Sequence, residues 1–520
     1  MFLRISVLLI ILFLFPPCIF ATNTKSDTNT SVYIEEISVD GNMSDDETNE
    51  LNAIIQEYQN RNLTINSIEK LKNRLSSYYK NRGFLFTKVL LPAQDISDGK
   101  LKFSIVKTKV EDLNISGNKY YSKDFIRRNF HFKKGDYLDY QEMVKDLLLL
   151  NSYEDLSVKS YLKKGSEYGT TDVYLEVKDS RPFHGTITYD NLGSKDTAKD
   201  RISADISYGN LINDGDNLSV HTTFGLKTLS SDSTKLIVGN YETTPIGSYF
   251  TRLHFSYLYA DYITAGDLSV LELKGDTRIY TAGIKQPIFY SATTQFNLLL
   301  NYYKKDIKSY LLGDLSSKDL LDIVELQTEL KYRRAFDAFE LYVGAAKGVN
   351  GDDALSSRYG ADIRFAKALL RASYNRYIND FNSLLINIDS QYSQNRVPLS
   401  ELFTIGGLSS VRAFEPAQKL GDSGYVVNAE WFLHPKTDYH PWLKNALQIG
   451  FYVDYGRVFN NQPVPGEEKA SALAAAGGEV LVNINKRLFA RVSIGYPLYE
   501  TDKLINDSTH VYGYVGIKLW

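Results

Sequence analysis

Apolar and polar residues alternate with a period of two from about residue 181 to the end of the chain. The segment RISADISY, residues 201–208, places Ile202, Ala204, Ile206 and Tyr208 on one face and polar residues on the other. Such alternation is typical of a strand with one apolar and one polar face. Similar segments occur at residues 384–388, 424–432, 447–455 and 488–497, and turn clusters such as NDGD at 213–216 separate the strands.

This alternating region predicts an all-β transmembrane barrel over residues 181–520. The region contains 340 residues, and at about 21 residues for a strand with its loop it supplies about 16 antiparallel strands. An even number of strands allows a barrel to close without an exposed edge.

Upstream, the pattern changes to two modules in which helical and strand periods are mixed. In the module at residues 32–107, a strand at 32–39 precedes helices at 45–58 and 64–81 and strands at 85–91 and 101–106. The module at 108–180 repeats this order, with a strand at 110–115, helices at 122–130 and 140–150, and strands at 156–162 and 171–177. The repeat predicts two α/β domains of β-α-α-β-β order.

The amino terminus has the pattern of an exported protein. Arg4 precedes an apolar run, and Ala21 is a small residue at a plausible cleavage point, so residues 1–21 are predicted to be a signal peptide. A polar segment follows at residues 22–31. Cys18 is the only cysteine, and its removal with the signal peptide would leave no thiol for catalysis, metal binding or a disulfide.

Composition narrows the class of protein. The net charge of -3 argues against a nucleic-acid binder. An aromatic content of 13%, with 38 tyrosines, suits the aromatic belts of a membrane barrel, and on composition alone a soluble all-β protein is the alternative. The chain contains no H-E-x-x-H segment and no phosphate loop, and its histidines are scattered. We therefore predict no enzyme activity, no cofactor and no metal site.

Two charged residues are the main candidates for a functional site. Arg412 lies in the Gly-rich segment GGLSSVRAFE at residues 406–415, and Asp454 lies in the strand-like segment YVDYG at 452–456. A charge inside a membrane barrel is costly unless it is paired, so the two side chains suggest an ion pair. The alternative is a solvated arginine in an external loop and an aspartate in an ordinary turn.

Taken in order, five segments resemble one family. They are residues 78–106 and 169–177 in the two modules, YDNLGS at 189–194, LFTIGGLSSVRAF at 402–414, and YVDYG at 452–456. Together they resemble the outer-membrane transporter of bacterial two-partner secretion (TpsB), of the haemolysin-activator and filamentous-haemagglutinin transporter type. The resemblance identifies the modules as POTRA domains and extends over essentially the whole mature chain.

The resemblance also implies roles for particular residues. A loop at residues 406–424 would fold into the barrel, where Arg412 would pair with Asp454 as a latch between loop and wall. The loop motif would comprise Gly406, Gly407, Val411, Ala413 and Phe414, the strand motif Tyr452 and Gly456, and the first-strand motif Asp190, Asn191 and Gly193. Ala413 stands where the family usually has glycine. The added methyl group is tolerated there only if the backbone φ of residue 413 is not positive.

The family further implies a function and partners. The barrel would be a pore in the outer membrane, and the POTRA domains would bind an unfolded exoprotein in the periplasm. That exoprotein would be a large, β-helical TpsA-like protein, and whether it is a haemolysin, an adhesin or a growth-inhibition toxin stays open. The transporter would be a monomer, inserted into outer-membrane lipid by the barrel-assembly machinery. The alternative functions are a factor that assembles other outer-membrane proteins and a diffusion porin.

Overall fold

The computed structural model describes residues 31–226, 234–247, 250–264, 272–436, 446–485, 487–501 and 509–519. The predicted signal peptide, and all but the last residue of the polar segment after it, lie outside these ranges. The chain divides into two compact units, one ending at Thr108 and one beginning at Lys109. In the described ranges, no helix has both the length and the apolar character needed to span a bilayer.

The first unit is a small α/β domain. A three-stranded sheet has the order β2-β5-β4, and a separate pair joins β1 to β3. Ile68, Leu71, Leu75 and Tyr79 lie on one face of the second helix and are all buried, as their helical spacing requires. The elements are β1 (Ser31–Ile34), β2 (Glu36–Asp40), α1 (Asp45–Gln56), β3 (Arg61–Thr64), α2 (Ile65–Asn81), β4 (Lys88–Leu90) and β5 (Lys100–Val106).

The bounds of some elements in this unit differ from the predicted ones. The strand expected at 32–39 is interrupted at Glu35, because the backbone N–H groups of Glu35 and Glu36 both donate to the carbonyl oxygen of Gly99. The strand expected at 85–91 is only three residues long, since backbone hydrogen bonds between residues 79 and 87 form turns. The short strand β3 had not been predicted, and its four residues carry little periodic signal.

The second unit begins with the second predicted module. Its sheet has the order β6-β8-β7, in which β6 and β8 are parallel and β7 and β8 antiparallel. This is the order of elements that the sequence pattern predicts. The elements are β6 (Lys109–Ser116), α3 (Lys123–Arg128), α4 (Tyr140–Leu150), β7 (Leu156–Lys164) and β8 (Thr170–Asp179).

The module is attached to the barrel by hydrogen bonds as well as by the chain. The backbone N–H of Ser122, which caps helix α3, donates to Asp214 Oδ2 at 2.9 Å. Asn210 Nδ2 donates to the carbonyl oxygen of Tyr120 at 3.2 Å. Asn210 and Asp214 belong to the turn after the second barrel strand, so the module lies against that end of the barrel.

The rest of the unit is the predicted barrel. Sixteen strands form a closed sheet in which every neighbouring pair is antiparallel, and β26 pairs with β9 to close it, so the predicted fold class is confirmed. The strands, including the short hairpin β20–β21, which is not part of the barrel sheet, are β9 (Phe183–Asp190), β10 (Arg201–Gly209), β11 (Asn217–Gly225), β12 (Lys235–Glu242), β13 (Arg252–Ile263), β14 (Lys274–Tyr290), β15 (Thr294–Leu311), β16 (Asp314–Arg333), β17 (Asp337–Leu355), β18 (Ala366–Asn379), β19 (Asn382–Ser393), β20 (Phe403–Ile405), β21 (Lys419–Gly421), β22 (Ser423–Leu433), β23 (Leu447–Phe459), β24 (Ala470–Ile484), β25 (Leu488–Glu500) and β26 (His510–Lys518).

The two faces of the barrel wall differ in polarity. Ile202, Ile206 and Tyr208 of β10 are exposed on the outer surface, while Ser203 is buried on the inner one. The same alternation occurs in β26, where Val515 and Ile517 are exposed. An apolar outer surface around a polar interior is what a barrel in a hydrocarbon layer requires.

The connection from β19 to β22, residues 394–422, is the long segment that folds into the barrel, and we call it the inner loop. The loop predicted at 406–424 is therefore too short at its beginning. The reason is that the strand-like residues Phe403–Ile405 do not join the wall but pair with Lys419–Gly421 of the same loop. Strand β22 already begins at Ser423.

Candidate functional site

The tip of the inner loop is shaped by Gly406 and Gly407. Their φ angles are 112° and 93°, in a region that side chains other than hydrogen rarely allow. The backbone N–H of Gly407 donates to the carbonyl oxygen of Phe414 at 3.0 Å, which closes the tip. The turn presents the segment between these residues, VRAF at 411–414, to the barrel wall.

Arg412 and Asp454 meet inside the barrel. Arg412 Nε donates to Asp454 Oδ2 at 2.8 Å, and Arg412 Nη2 donates to Oδ1 at 2.6 Å. The backbone N–H of Arg412 also donates to Oδ2, at 3.1 Å. The two residues are 1% and 0% exposed. The guanidinium fork therefore holds the carboxylate in a bidentate arrangement, which determines orientation as well as distance.

Asn428 adds a neutral donor to the same carboxylate. Its Nδ2 lies 2.7 Å from Asp454 Oδ1 and 2.6 Å from the carbonyl oxygen of Ser410. Asn428 and Asp454 are directly paired in register on β22 and β23. The side chain thus joins the loop backbone to the wall at the same point as Arg412.

Further charged residues surround Arg412 that sequence reasoning missed. Glu430 Oε1 and Glu479 Oε2 lie 3.2 and 3.3 Å from Arg412 Nη1. Arg491 Nη2 donates to Glu479 Oε2 at 2.6 Å. We call these five residues, Arg412, Asp454, Glu430, Glu479 and Arg491, the tip cluster. The sequence signal that could have identified the two glutamates is an acidic residue within an otherwise apolar strand, as in AEWF at 429–432 and GGEV at 477–480.

The orientation of these acids follows from the alternation of the wall. Trp431, Val453 and Val480, each adjacent in sequence to one of the acids, are exposed on the outer surface. Successive side chains of a strand point to opposite faces, so the three acids point inward. The tip cluster is therefore inside the barrel.

The ring of Tyr452 packs against the guanidinium group of Arg412. The centre of its ring lies 3.5 Å from the Arg412 guanidinium carbon, within cation–π range. Its hydroxyl is 3.0 Å from Ser493 Oγ. The ring at position 452 thus contacts the flat face of Arg412, while the carboxylates occupy its edge.

The tip also packs on an apolar part of the wall. Val411, Ala413 and Phe414 are buried in one cluster with residues of β22, β23 and β24. Ala413 does not have a positive φ, so its methyl group is compatible with the backbone there. Gly456 leaves space for this packing, since a Cβ atom on it would lie 3.0 Å from Val411 Cγ2.

The first part of the inner loop contacts a different sector of the wall. Glu401 is buried, and its carboxylate accepts from Lys305 Nζ at 2.5 Å and Lys367 Nζ at 2.9 Å. Burial raises the pKa of Glu401, but the charges of the two lysines outweigh burial and bring the pKa below its usual value. Since Lys305 is on β15 and Lys367 on β18, the loop spans the interior between two sectors.

The predicted first-strand motif lies elsewhere, at the junction of β9 and β26. Asp190 Oδ1 accepts from Arg201 Nε at 2.8 Å. Asn191 Nδ2 donates to the carbonyl oxygen of Val511 at 2.9 Å, and Asn191 Oδ1 accepts from the N–H of Gly513 at 2.7 Å. A Cβ atom on Gly193 would lie 1.7 Å from the carbonyl oxygen of Ala198. Asn191 thus joins the end of β9 to β26, whereas Asp190 and Gly193 contact β10 and the connection before it, and none of the three is part of the tip cluster.

One group of possible metal ligands occurs among the described residues, in the second module. It contains His131, Glu142 and Asp146. Both oxygens of Asp146 are engaged by His131, through the ring Nδ1 at 2.5 Å and the backbone N–H at 2.9 Å. Burial raises the pKa of Asp146, although the hydrogen bonds from His131 act in the opposite direction. The contacts between His131 and Asp146 are those of a hydrogen-bonded pair that links the segment after helix α3 to helix α4.

Comparison with known families gives three matches along the chain. Residues 169–480 match the haemolysin secretion/activation protein ShlB/FhaC/HecB family, which is more than half of the chain. Residues 32–108 match the ShlB-type POTRA domain. Residues 108–159 match a POTRA domain described as a surface antigen variable number repeat.

Individual relatives agree with these matches over most of the chain. The heme/hemopexin transporter protein HuxB of Haemophilus influenzae is 22% identical over 493 residues, covering 90% of this chain and 84% of the relative. The outer membrane transporter CdiB of Dickeya dadantii is 25% identical over 476 residues, covering 89% of this chain and 83% of the relative.

Solved structures agree in fold. CdiB from Escherichia coli superimposes with a TM-score of 0.80 at 18% identity, covering 96% of this chain and 93% of the other. BamA from Haemophilus ducreyi, lacking POTRA domains 1–3, gives a TM-score of 0.55 at 14% identity over 94% of this chain and 100% of the other. With its POTRA domains on the periplasmic side of an outer-membrane barrel, the chain belongs to the ShlB/FhaC/HecB haemolysin secretion/activation family of two-partner secretion transporters.

Proposed function

We propose that the tip cluster is the latch that holds the inner loop in the translocation pore of this transporter. The observation that supports it most directly is the forked contact of Arg412 with Asp454 at the inner surface of the barrel. One residue of the loop thereby donates three hydrogen bonds to a wall strand, two from its side chain and one from its backbone N–H. A loop held in this way has one orientation in the pore.

The cost of breaking the pair supports a specific role. Removing one partner of a buried ion pair leaves an unpaired charge and costs about 3–5 kcal/mol. Arg412 has three carboxylates within 3.3 Å, and its loss leaves Asp454 and Glu430 without this cation, while Glu479 keeps Arg491. This free-energy cost keeps the loop in one position. Any displacement of the loop from the wall must overcome the same cost.

For the partner, we propose a large secreted exoprotein of β-helical type that crosses the membrane unfolded and folds outside the cell. The names of the relatives differ, one being a heme/hemopexin transporter protein and another an outer membrane transporter. Folding of the exoprotein at the cell surface would bias export without nucleotide hydrolysis. In this proposal the chain acts as a pore and carries no catalytic activity, cofactor or metal.

The remaining assignments concern biogenesis and domain limits. We propose that residues 1–21 are removed on export, that residues 32–107 and 108–180 are the two periplasmic POTRA domains, and that residues 181–520 form the pore. The protein would act as a monomer after insertion into outer-membrane lipid by the barrel-assembly machinery. The hydrogen bonds between the second module and the barrel turn support the proposal that this module is fixed at the pore entrance, where it would receive the exoprotein.

The test is secretion by cells that express the exoprotein together with variants of this chain. Arg412→Ala and Asp454→Asn should reduce the exoprotein in the medium by about tenfold or more, given the cost of an unpaired buried charge. Heat-modifiable mobility of the variant should still report an inserted barrel. The exposed Arg457, on the same strand as Asp454, provides the control Arg457→Ala, which should secrete normally. Normal export by Arg412→Ala would overturn the latch.

A further inference from the structure

We propose that Asp422 and Arg358 form a second clamp on the inner loop, at its root, which keeps the external mouth of the pore closed when no exoprotein is present. The proposal rests on the proposed function only in taking the inner loop to occupy the pore. We call this group the root clamp. It shares no residue with the tip cluster.

Three connections meet at the root clamp. They are residues 356–365 between β17 and β18, the inner loop, and residues 460–469 between β23 and β24. Antiparallel order places all three at the same end of the barrel. The second module joins β9 at the opposite end, and since that module is periplasmic, the three connections are on the cell surface.

Asp422, the last residue of the inner loop, receives donors from all three connections. Arg358 Nη1 donates to Oδ1 at 2.6 Å. The backbone N–H of Val397, at the start of the inner loop, donates to Oδ1 at 2.7 Å, and that of Asn461 donates to Oδ2 at 2.7 Å. Asp422 is 0% exposed, so its charge depends entirely on these donors.

Arg358 reinforces the same junction from the other side. Its Nη1 also donates to the carbonyl oxygen of Val397 at 3.1 Å, and its Nη2 donates to Asn460 Oδ1 at 3.0 Å. A second arginine of the loop root, Arg396, holds Glu467 through two hydrogen bonds of 2.7 and 2.6 Å. The root of the inner loop is therefore tied to both neighbouring connections through charged groups.

The tip cluster and the root clamp hold different parts of the molecule. In the tip cluster the acceptors of Arg412 are on wall strands β22, β23 and β24, so that cluster determines where the loop lies in the pore. In the root clamp every donor to the Asp422 carboxylate belongs to a surface connection, so that clamp determines whether the connections stay together. An emerging chain must separate them, and Asp422 and Arg358 are the positioning residues that resist this separation.

The experiment measures closure and secretion separately. Purified full-length protein is placed in planar lipid bilayers, and the frequency of open-channel events is recorded for Asp422→Asn, Arg358→Ala and the wild type. Asp422→Asn is nearly isosteric but turns an amide donor toward existing donors, so it should fold while weakening the clamp. We expect about a tenfold or greater rise in open events for both variants.

The controls distinguish the root clamp from general destabilisation and from the tip latch. Arg333→Ala removes one partner of the exposed pair with Glu340 and should leave channel events unchanged. Heat-modifiable mobility identifies variants that fold. Wild-type channel closure by folded Asp422→Asn would overturn the root clamp, even if Arg412→Ala abolishes secretion. Normal secretion by Arg412→Ala together with open Asp422→Asn channels would overturn the tip latch alone.

Discussion

Gly495 of β25 lies directly against the backbone of Arg412. A Cβ atom on Gly495 would be 2.5 Å from the carbonyl oxygen of Arg412 and 2.8 Å from its carbonyl carbon. Backbone atoms cannot move aside as a flexible side chain can. The absence of a side chain at this one position of the wall is therefore a condition for the tip of the inner loop to reach its place.

Substitution of Gly495 should displace the tip without changing any charge. We expect Gly495→Ala to reduce secretion of the exoprotein several-fold, because overpacking of this kind costs about 1–3 kcal/mol, and Gly495→Val to reduce it further. The matched control is Gly478→Ala on the neighbouring strand, whose nearest neighbour, the carbonyl oxygen of Gly450, would be at an ordinary 3.5 Å. Equal secretion by the Gly495 and Gly478 variants would show that the close approach is unimportant.

The ring of Tyr452 should matter more than its hydroxyl. Tyr452→Phe keeps the face under the guanidinium of Arg412 and loses one hydrogen bond to Ser493, worth about 0.5–1.5 kcal/mol. Tyr452→Leu removes the ring, and with it the cation–π contact, which in a desolvated site is worth about 2 kcal/mol. We expect secretion near the wild-type level for the first variant and a clear loss for the second. Equal secretion by both would contradict a role for the ring.

Glu401 should secure the first part of the inner loop through its two lysines. Glu401→Ala leaves Lys305 and Lys367 without their shared carboxylate and should destabilise this part by about 3–5 kcal/mol. Lys305→Ala should have a smaller effect, because Lys367 continues to balance the acid. Limited proteolysis of intact barrels measures the difference as cleavage within the loop. Faster cleavage in Lys305→Ala than in Glu401→Ala would refute this order.

The carboxylate of Glu467 should make the stability of the surface connections depend on pH. Hydrogen bonds from Arg396 lower the pKa of Glu467 from 4.5 to about 2. A lowered pKa in the folded state means that the stabilisation is complete above pH 4.5 and is lost as the pH falls toward 2. Glu467→Gln should therefore unfold at a lower temperature than the wild type at pH 7, and this difference should shrink in acid.

The measurement is the thermal unfolding midpoint of both proteins between pH 7 and pH 3. Glu467 is partly exposed and solvent screens its charge, so the prediction concerns the direction of the change. Arg358 also faces this carboxylate, with its Nε 3.6 Å from Glu467 Oε1, and contributes to the same dependence. A difference between the two proteins that grows as the pH falls would contradict the assignment.

The local pattern of the sequence determined much of this molecule. Alternation with a period of two predicts the wall strands, because each side chain position in a barrel faces either lipid or the interior. Helical spacing predicts α2 with its buried residues, and Gly406 and Gly407 predict a sharp turn. An arginine and an aspartate in unusual settings were enough to select Arg412 and Asp454 as candidates.

Only the tertiary structure decided which charges share a neighbour. Arg358 and Asp422 are separated by 64 positions, and Arg412 and Glu479 by 67, with no motif to join them. In a closed sheet, the register of the strands determines which wall residues are neighbours. A loop that folds inward contacts wall residues at sequence separations that follow neither the helical nor the strand period. The sequence therefore specifies which face each residue occupies, whereas closure of the barrel around the loop selects the partners that neutralise each buried charge.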